Sequence, residues 1–443
     1  MFRVYTQRWL VLLVVCLLNF SNAMTWITFA PISYYTNSFY GDRNAATLLN
    51  VIFMAVSIPC GIVAFWGVDR FGIRVVCIAG AVFNFLGNLI RFSAVFLSGP
   101  ARFWLTLFGQ ALAASIQPFV MYLTTKTAAI WFPNSERVTA NTLAALSNSL
   151  GVATMYSISP LVVNSNSKVD FMILNGLTSL LTLITLILSF GVTRTAPKTP
   201  PSASGDGSTD AGDFKKSLKT LITDKNFIIL NMAVGSGVGL FNCLFNNLQP
   251  TLCSQGYDVT IISLCGSGMI VAGLVGSAIT GVIVDRTKRF NEAYKLCLSM
   301  TAICTIPMSL FVLRENQPAL VMLSIFCFGF FGLATYPVSL ELAVECTFPV
   351  PEAFSSGCLI FFGQIFGIIY IIATSLLTTA PTDQMRAHQT CTRVDLDVEI
   401  LQWNTAQYLW MGSIIATALF SVVLFTPKYQ RMEHEKEKTQ DLS

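Results

Sequence analysis

Long apolar runs separated by short polar turns fill almost the whole chain. Twelve of them reach the roughly 20 residues an α-helix needs to cross the hydrocarbon of a bilayer: 9–33, 46–68, 75–97, 102–131, 138–163, 169–193, 226–249, 259–284, 293–313, 317–344, 353–380 and 403–427. A backbone inside lipid has to satisfy its own hydrogen bonds, so each run is expected to be a helix. The fold class expected is an all-α membrane protein with twelve transmembrane helices.

The polar turns carry a repeat. Gly67-Val68-Asp69-Arg70-Phe71-Gly72-Ile73-Arg74 lies between the second and third runs. It is echoed by Gly281-Val282-Ile283-Val284-Asp285-Arg286-Thr287-Lys288-Arg289 between the eighth and ninth. Matching Asp-Arg turns divide the chain into two six-helix halves, 1–193 and 226–427, as in duplicated transporter folds. Asp69, Arg70, Arg74, Asp285 and Arg286 are expected to latch the inner side. Between the halves, 194–225 reads as a cytoplasmic linker, with three prolines in Ala196-Pro197-Lys198-Thr199-Pro200-Pro201 followed by Ser, Gly and Asp. Its end, 214–222, has helical spacing and a basic face suited to the inner membrane surface. Residues 428–443 read as a solvated cytoplasmic tail. Residues 1–23 resemble a signal peptide, but removing them would leave five spans against six, so 9–33 is expected to remain as the first helix.

A few polar and aromatic side chains interrupt the apolar runs. The first run turns polar at Asn19, Ser21, Asn22, Thr25, Trp26, Thr28 and Pro31, and Trp26 lies deeper than the interfacial belt where tryptophan usually sits. It is expected to line a cavity or to pack between helices. Gln110 and Gln117, a heptad apart, would share a face of the fourth helix, Gln117 toward a pore and Gln110 in packing; a buried amide without partners is costly. The fifth run is polar along much of its length, with Asn141, Ser147, Asn148, Ser149 and Ser157-Ile158-Ser159-Pro160. Gly235, Gly237 and Gly239, followed by Phe241-Asn242 and Asn246-Asn247, predict a bent or unwound seventh helix. Glu341 and Glu345, i and i+4 at the inner end of the tenth, read as a gate or salt-bridge pair, with proton coupling the sharper alternative. Gln364 is a second amide, in the eleventh helix.

Composition fits a membrane chain, with 53% hydrophobic and 11% charged residues. With both termini cytoplasmic, 20 of the 27 lysines and arginines fall inside, and Arg43, Arg91, Arg102, Lys168, Arg314, Arg386 and Arg393 fall outside. The positive-inside rule therefore favours that orientation. Nothing in the net charge of +4 suggests a nucleic-acid surface. Of twelve cysteines, most lie singly in helices, but Cys253 and Cys391 fall on the oxidising side, where they are either bridged or two free thiols. The only histidines, His388 and His434, lie in a loop and the tail, and no phosphate loop or nucleophile elbow appears, so enzymatic chemistry is not expected. No cofactor is expected, and a monomer in the plasma membrane is. Aromatic faces at Trp26 and Phe241 with neutral amides at Gln117 and Gln364 suit a small organic cation held by cation–π attraction. Without a mid-span carboxylate, facilitated movement is the expected mode.

The motifs also resemble a known family. The paired Asp-Arg turns resemble the major facilitator superfamily. Asn22-Ala23-Met24-Thr25-Trp26-Ile27, Glu341-Leu342-Ala343-Val344-Glu345-Cys346 with Phe348-Pro349, and Gly363-Gln364 resemble solute carrier family 49, over nearly the whole chain. That resemblance implies alternating access between two six-helix halves. It also implies choline or ethanolamine as substrate, with haem or another porphyrin as a second reading and a non-transporting receptor or sensor as a third. The family's choline cage of a first-helix tryptophan, a seventh-helix tyrosine and two glutamines would fall on Trp26, Phe241, Gln117 and Gln364, with phenylalanine in place of the tyrosine.

Overall fold

The computed structural model describes residues 4–199, 214–287, 289–347, 350, 352–381, 400–427 and 429. Among these it has fourteen α-helices and no strand beyond a single bridge pairing Thr379 with Gln402. In chain order the helices are α1 Gln7–Ile27, α2 Ser33–Tyr40, α3 Ala45–Ala94, α4 Pro100–Ala114, α5 Gln117–Trp131, α6 Asn134–Val162 and α7 Lys168–Ser189. There follow α8 Phe214–Thr223, α9 Lys225–Cys253, α10 Val259–Thr287, α11 Phe290–Val312, α12 Pro318–Thr347, α13 Glu352–Leu376 and α14 Asn404–Leu424.

Eleven stretches of the described residues are helices long and apolar enough to cross a membrane. The run at 138–163 is not among them; α6 has the length, 29 residues, but too many amides and hydroxyls. The all-helical, multi-pass architecture is the one the hydropathy pattern predicts.

The chain forms two compact units. The first comprises Met1–Asp210, Leu244–Ser267 and Thr379–Trp403, and the second Ala211–Cys243, Gly268–Thr378 and Asn404–Ser443. In the first, α3 carries two spans that meet at Gly72, whose φ of 74° and ψ of 168° suit glycine, and where a Cβ would come within 2.5 Å of Thr195. Lys126 Nζ donates to the Val68 carbonyl at that corner (2.7 Å), and Arg70 lies 4.9 Å from the Trp66 ring. Arg8 pairs with Glu136 at 2.7 Å and covers the Phe132 ring. Small residues let the helices close: a Cβ at Gly87 would meet the Gly109 carbonyl at 2.6 Å, and one at Gly151 the Phe20 carbonyl at 2.4 Å.

The second unit is built the same way. A Cβ at Gly276 would lie 2.1 Å from the Phe330 carbonyl, and one at Gly239 2.6 Å from the Gly367 nitrogen. The expected unwinding of the seventh helix does not occur: α9 is continuous for 29 residues. Its glycines serve close approach to α13, with Gly235 facing Phe362 and Gly239 facing Phe366 and Gly367. Conversely, Gln110 and Gln117 do not share one helix, because the chain breaks at Ser115 and Ile116 between α4 and α5.

Candidate functional site

The end of α1 places Trp26. Pro31 has no N–H to return to the Ile27 carbonyl, so α1 stops there and the chain passes through a 3-10 turn, Ala30–Ile32, into α2. A helix end leaves its last carbonyls without partners, and here side chains supply the donors. Thr28 Oγ1 donates to the Met24 carbonyl at 2.6 Å, and Ser159 Oγ to that of Thr28 at 2.9 Å. Gln110 Nε2 donates to Thr25 and Trp26 at 3.2 and 3.4 Å. Gln110 is thus a cap, consistent with its expected packing role.

The Trp26 side chain is 9% exposed, and its indole N–H makes no hydrogen bond among the described residues. Buried tryptophans ordinarily satisfy that donor. Its ring meets Phe245 edge-on, with centroids 6.5 Å apart at 89°. Phe245 also touches Tyr156, whose hydroxyl donates to the Phe245 carbonyl, and Ser263 Oγ donates to the Tyr156 carbonyl at 2.8 Å. Near them Asn50 Nδ2 donates to Asn246 Oδ1 at 2.7 Å, and Asn246 Nδ2 to Asn247 Oδ1 at 2.9 Å. Phe245 is the aromatic partner that sequence reasoning missed; it lies one helical turn beyond Phe241, and that i+4 spacing was the available signal.

Gln117 begins α5, ahead of Pro118, and is buried. Ser57 Oγ lies 2.6 Å from Gln117 Oε1 and 2.7 Å from the Phe53 carbonyl. The Ala114 carbonyl is a third acceptor at 3.4 Å, and a hydroxyl has one proton to give, so the glutamine oxygen shares it.

In the second unit Phe241 is half-buried and stacks on Phe328, with centroids 5.0 Å apart at 27°. Phe328 meets Trp410 at 5.4 Å, and Trp410 Nε1 donates to the Leu240 carbonyl at 2.9 Å. Gly332 makes room for the Phe241 ring, which a Cβ there would approach to 2.5 Å. Gln364 is half-buried on α13, beside a Gly363 that Val238 covers.

Among the expected latch residues Arg70, Arg74 and Arg286 are exposed; the side chains of Asp69 and Asp285 lie outside what is described. Glu341 and Glu345 share a helix face but differ in setting, the first exposed and the second buried. Cys253 is disulfide-bonded and the other ten described cysteines form no disulfide; Cys391 lies outside the described residues.

The Major Facilitator Superfamily model matches residues 12–369. Solute carrier family 49 member A3 of Xenopus tropicalis is 34% identical over 97% of this chain and 89% of its own. The choline/ethanolamine transporter FLVCR2 of Rattus norvegicus is 29% identical over 84% of this chain and 69% of its own. A crystal structure of a D-xylose–proton symporter superposes with a TM-score of 0.71 at 13% identity, covering 95% of this chain and 98% of that one, a likeness of fold alone. A multi-pass helical chain matched along nearly its whole length by such relatives is a membrane transporter and not an enzyme, and it belongs to the major facilitator superfamily and, within it, to solute carrier family 49.

Proposed function

We propose that the protein moves a small organic amine, of the choline or ethanolamine class, across the membrane by facilitated alternating access. The observation that carries this reading is Trp26: a buried indole at the broken end of a membrane helix, its N–H unsatisfied and its ring in contact with Phe245. An aromatic face in a desolvated site attracts an ammonium by about 2 kcal/mol or more. Gln117 is the first unit's polar contact in this reading, held by a shared serine proton. Phe241 and Gln364 are the contacts assigned to the second unit, in the frame of two six-helix halves, 1–193 and 226–427. Support for the substrate class comes from the relatives named for choline and ethanolamine.

In the same reading Asp69, Arg70, Arg74, Asp285 and Arg286 latch the inner side, with Glu341 and Glu345 as gate residues. The charge bias supports cytoplasmic termini, and a disulfide at Cys253 supports passage through an oxidising compartment to the plasma membrane. Two halves within one chain let a monomer perform the cycle.

The test is uptake of radiolabelled choline and ethanolamine by cells expressing the wild type, Trp26→Ala or Gln117→Ala, at two pH values and without sodium. Wild-type uptake should saturate and be indifferent to both pH and sodium. Trp26→Ala should raise the half-saturating concentration about 30-fold, the factor corresponding to one lost cation–π contact. Wild type at the cell surface with no uptake above background would remove the amine assignment.

A further inference from the structure

Arg91, counted with the outer charges, lies in the last turn of α3. It has no exposed surface at all. A charge within a membrane span is costly and is ordinarily paired with an opposite one. No carboxylate forms an ion pair with Arg91 among the described residues. Instead Nη1 donates to the Thr25 carbonyl at 3.2 Å and to Asn88 Oδ1 at 3.3 Å, while the guanidinium lies 4.7 Å from the Phe29 ring centroid. What answers the charge is the carbonyl end of α1, where the helix dipole concentrates about half a negative charge.

Among the described residues Arg91 Nε and Nη2, the two donors along one edge of the guanidinium, make no hydrogen bond, and neither does Gln110 Oε1. Both side chains converge on one acceptor, since Gln110 Nε2 also donates to the Thr25 carbonyl.

We propose that Arg91 and Gln110 are positioning residues that hold the carbonyl end of α1 and so fix the orientation of the Trp26 indole. The proposal rests on the assignment of Trp26 as the substrate's aromatic contact. Neither residue touches substrate. They act through the backbone of Thr25 and Trp26, whose carbonyls they carry in place of the helix.

The test uses full-length protein in lipid nanodiscs and in cells. Hydrogen exchange over 22–36 is compared between wild type, Arg91→Met, Arg91→Lys and Gln110→Leu. Exchange at 27–33 should quicken about tenfold in Arg91→Met and Gln110→Leu, the factor for one uncompensated carbonyl, and less in Arg91→Lys, which keeps the charge. In uptake, Arg91→Met should raise KM about tenfold at unchanged, surface-corrected maximal rate. The double variant Arg91→Met/Trp26→Ala should be no worse than Trp26→Ala alone. Unchanged exchange in the folded variants, or a double variant whose losses multiply, overturns the proposal. Should the wild type carry no amine, the substrate reading fails by itself and the exchange comparison still decides the role of Arg91 and Gln110. Gln110→Leu preserves the test if Arg91→Met does not fold.

Discussion

The first and seventh spans, α1 and α9, solve the same problem in opposite ways. α1 has no glycine along its 21 residues, yet it breaks at Ile27, and its freed carbonyls are carried by Thr28, Ser159, Gln110 and Arg91. α9 has three glycines in five positions and runs unbroken to Cys253, where a disulfide ties its end. Glycine in a membrane helix is therefore no measure of where the helix opens. With tight neighbours it is a place for another backbone, and the helix opens where a proline withholds a donor and side chains stand ready to replace it.

Substitutions can break that contrast. The largest effect is expected from Gly239→Val, whose side chain would press on the backbone at Gly367 and on Phe366; a loss of about 3 kcal/mol follows from overpacking. Melting of the purified protein measures it, and an unshifted transition would mean that α9 and α13 have room to spare. Next is Cys253→Ser, which should cost about 2 kcal/mol by freeing a closed loop. In intact cells neither Cys253 nor Cys391 should react with a thiol reagent before reduction if they are partners; labelling of both at the outset would exclude the pair.

Ser159→Ala removes the donor to the buried Thr28 carbonyl and should cost about 1 kcal/mol, with maximal uptake rate kept. The smallest change is expected from Pro31→Ala. It restores a donor for Ile27 while every side-chain cap stays in place, so stability should move by less than about 1 kcal/mol. If Pro31→Ala instead weakens uptake as much as Trp26→Ala, the proline rather than the caps sets the tryptophan.

Most of the span pattern was legible in the sequence because each crossing answers to one solvent over about twenty residues. The breaks were less so. Pro31 is visible in the chain, but the stop at Ile27 depends on donors from α3, α4 and α6. The interruption at Ser115 and Ile116 is marked only by Pro118 in the following turn, and it separates two glutamines that heptad spacing had joined. That Arg91 turns its guanidinium to the carbonyls of α1 is not visible to a count of charges. Trp26 was identifiable from its depth and polar neighbours. Its ring partner was not, since Phe241 and Phe245 are equally plausible until the helix is placed.

The polarity of α6 has a consequence for how the protein is made. The translocon releases a segment into lipid according to its own apolarity, and Asn141, Ser147, Asn148, Ser149, Ser157 and Ser159 weigh against release. α6 acquires much of its environment beside α1, where Gly151 sits against the Phe20 carbonyl and Ser159 reaches that of Thr28. An earlier helix therefore serves as the receiving surface for a later one, and a defect in α1 would be felt during biogenesis as retention of α6 at the insertion machinery, before any solute is met.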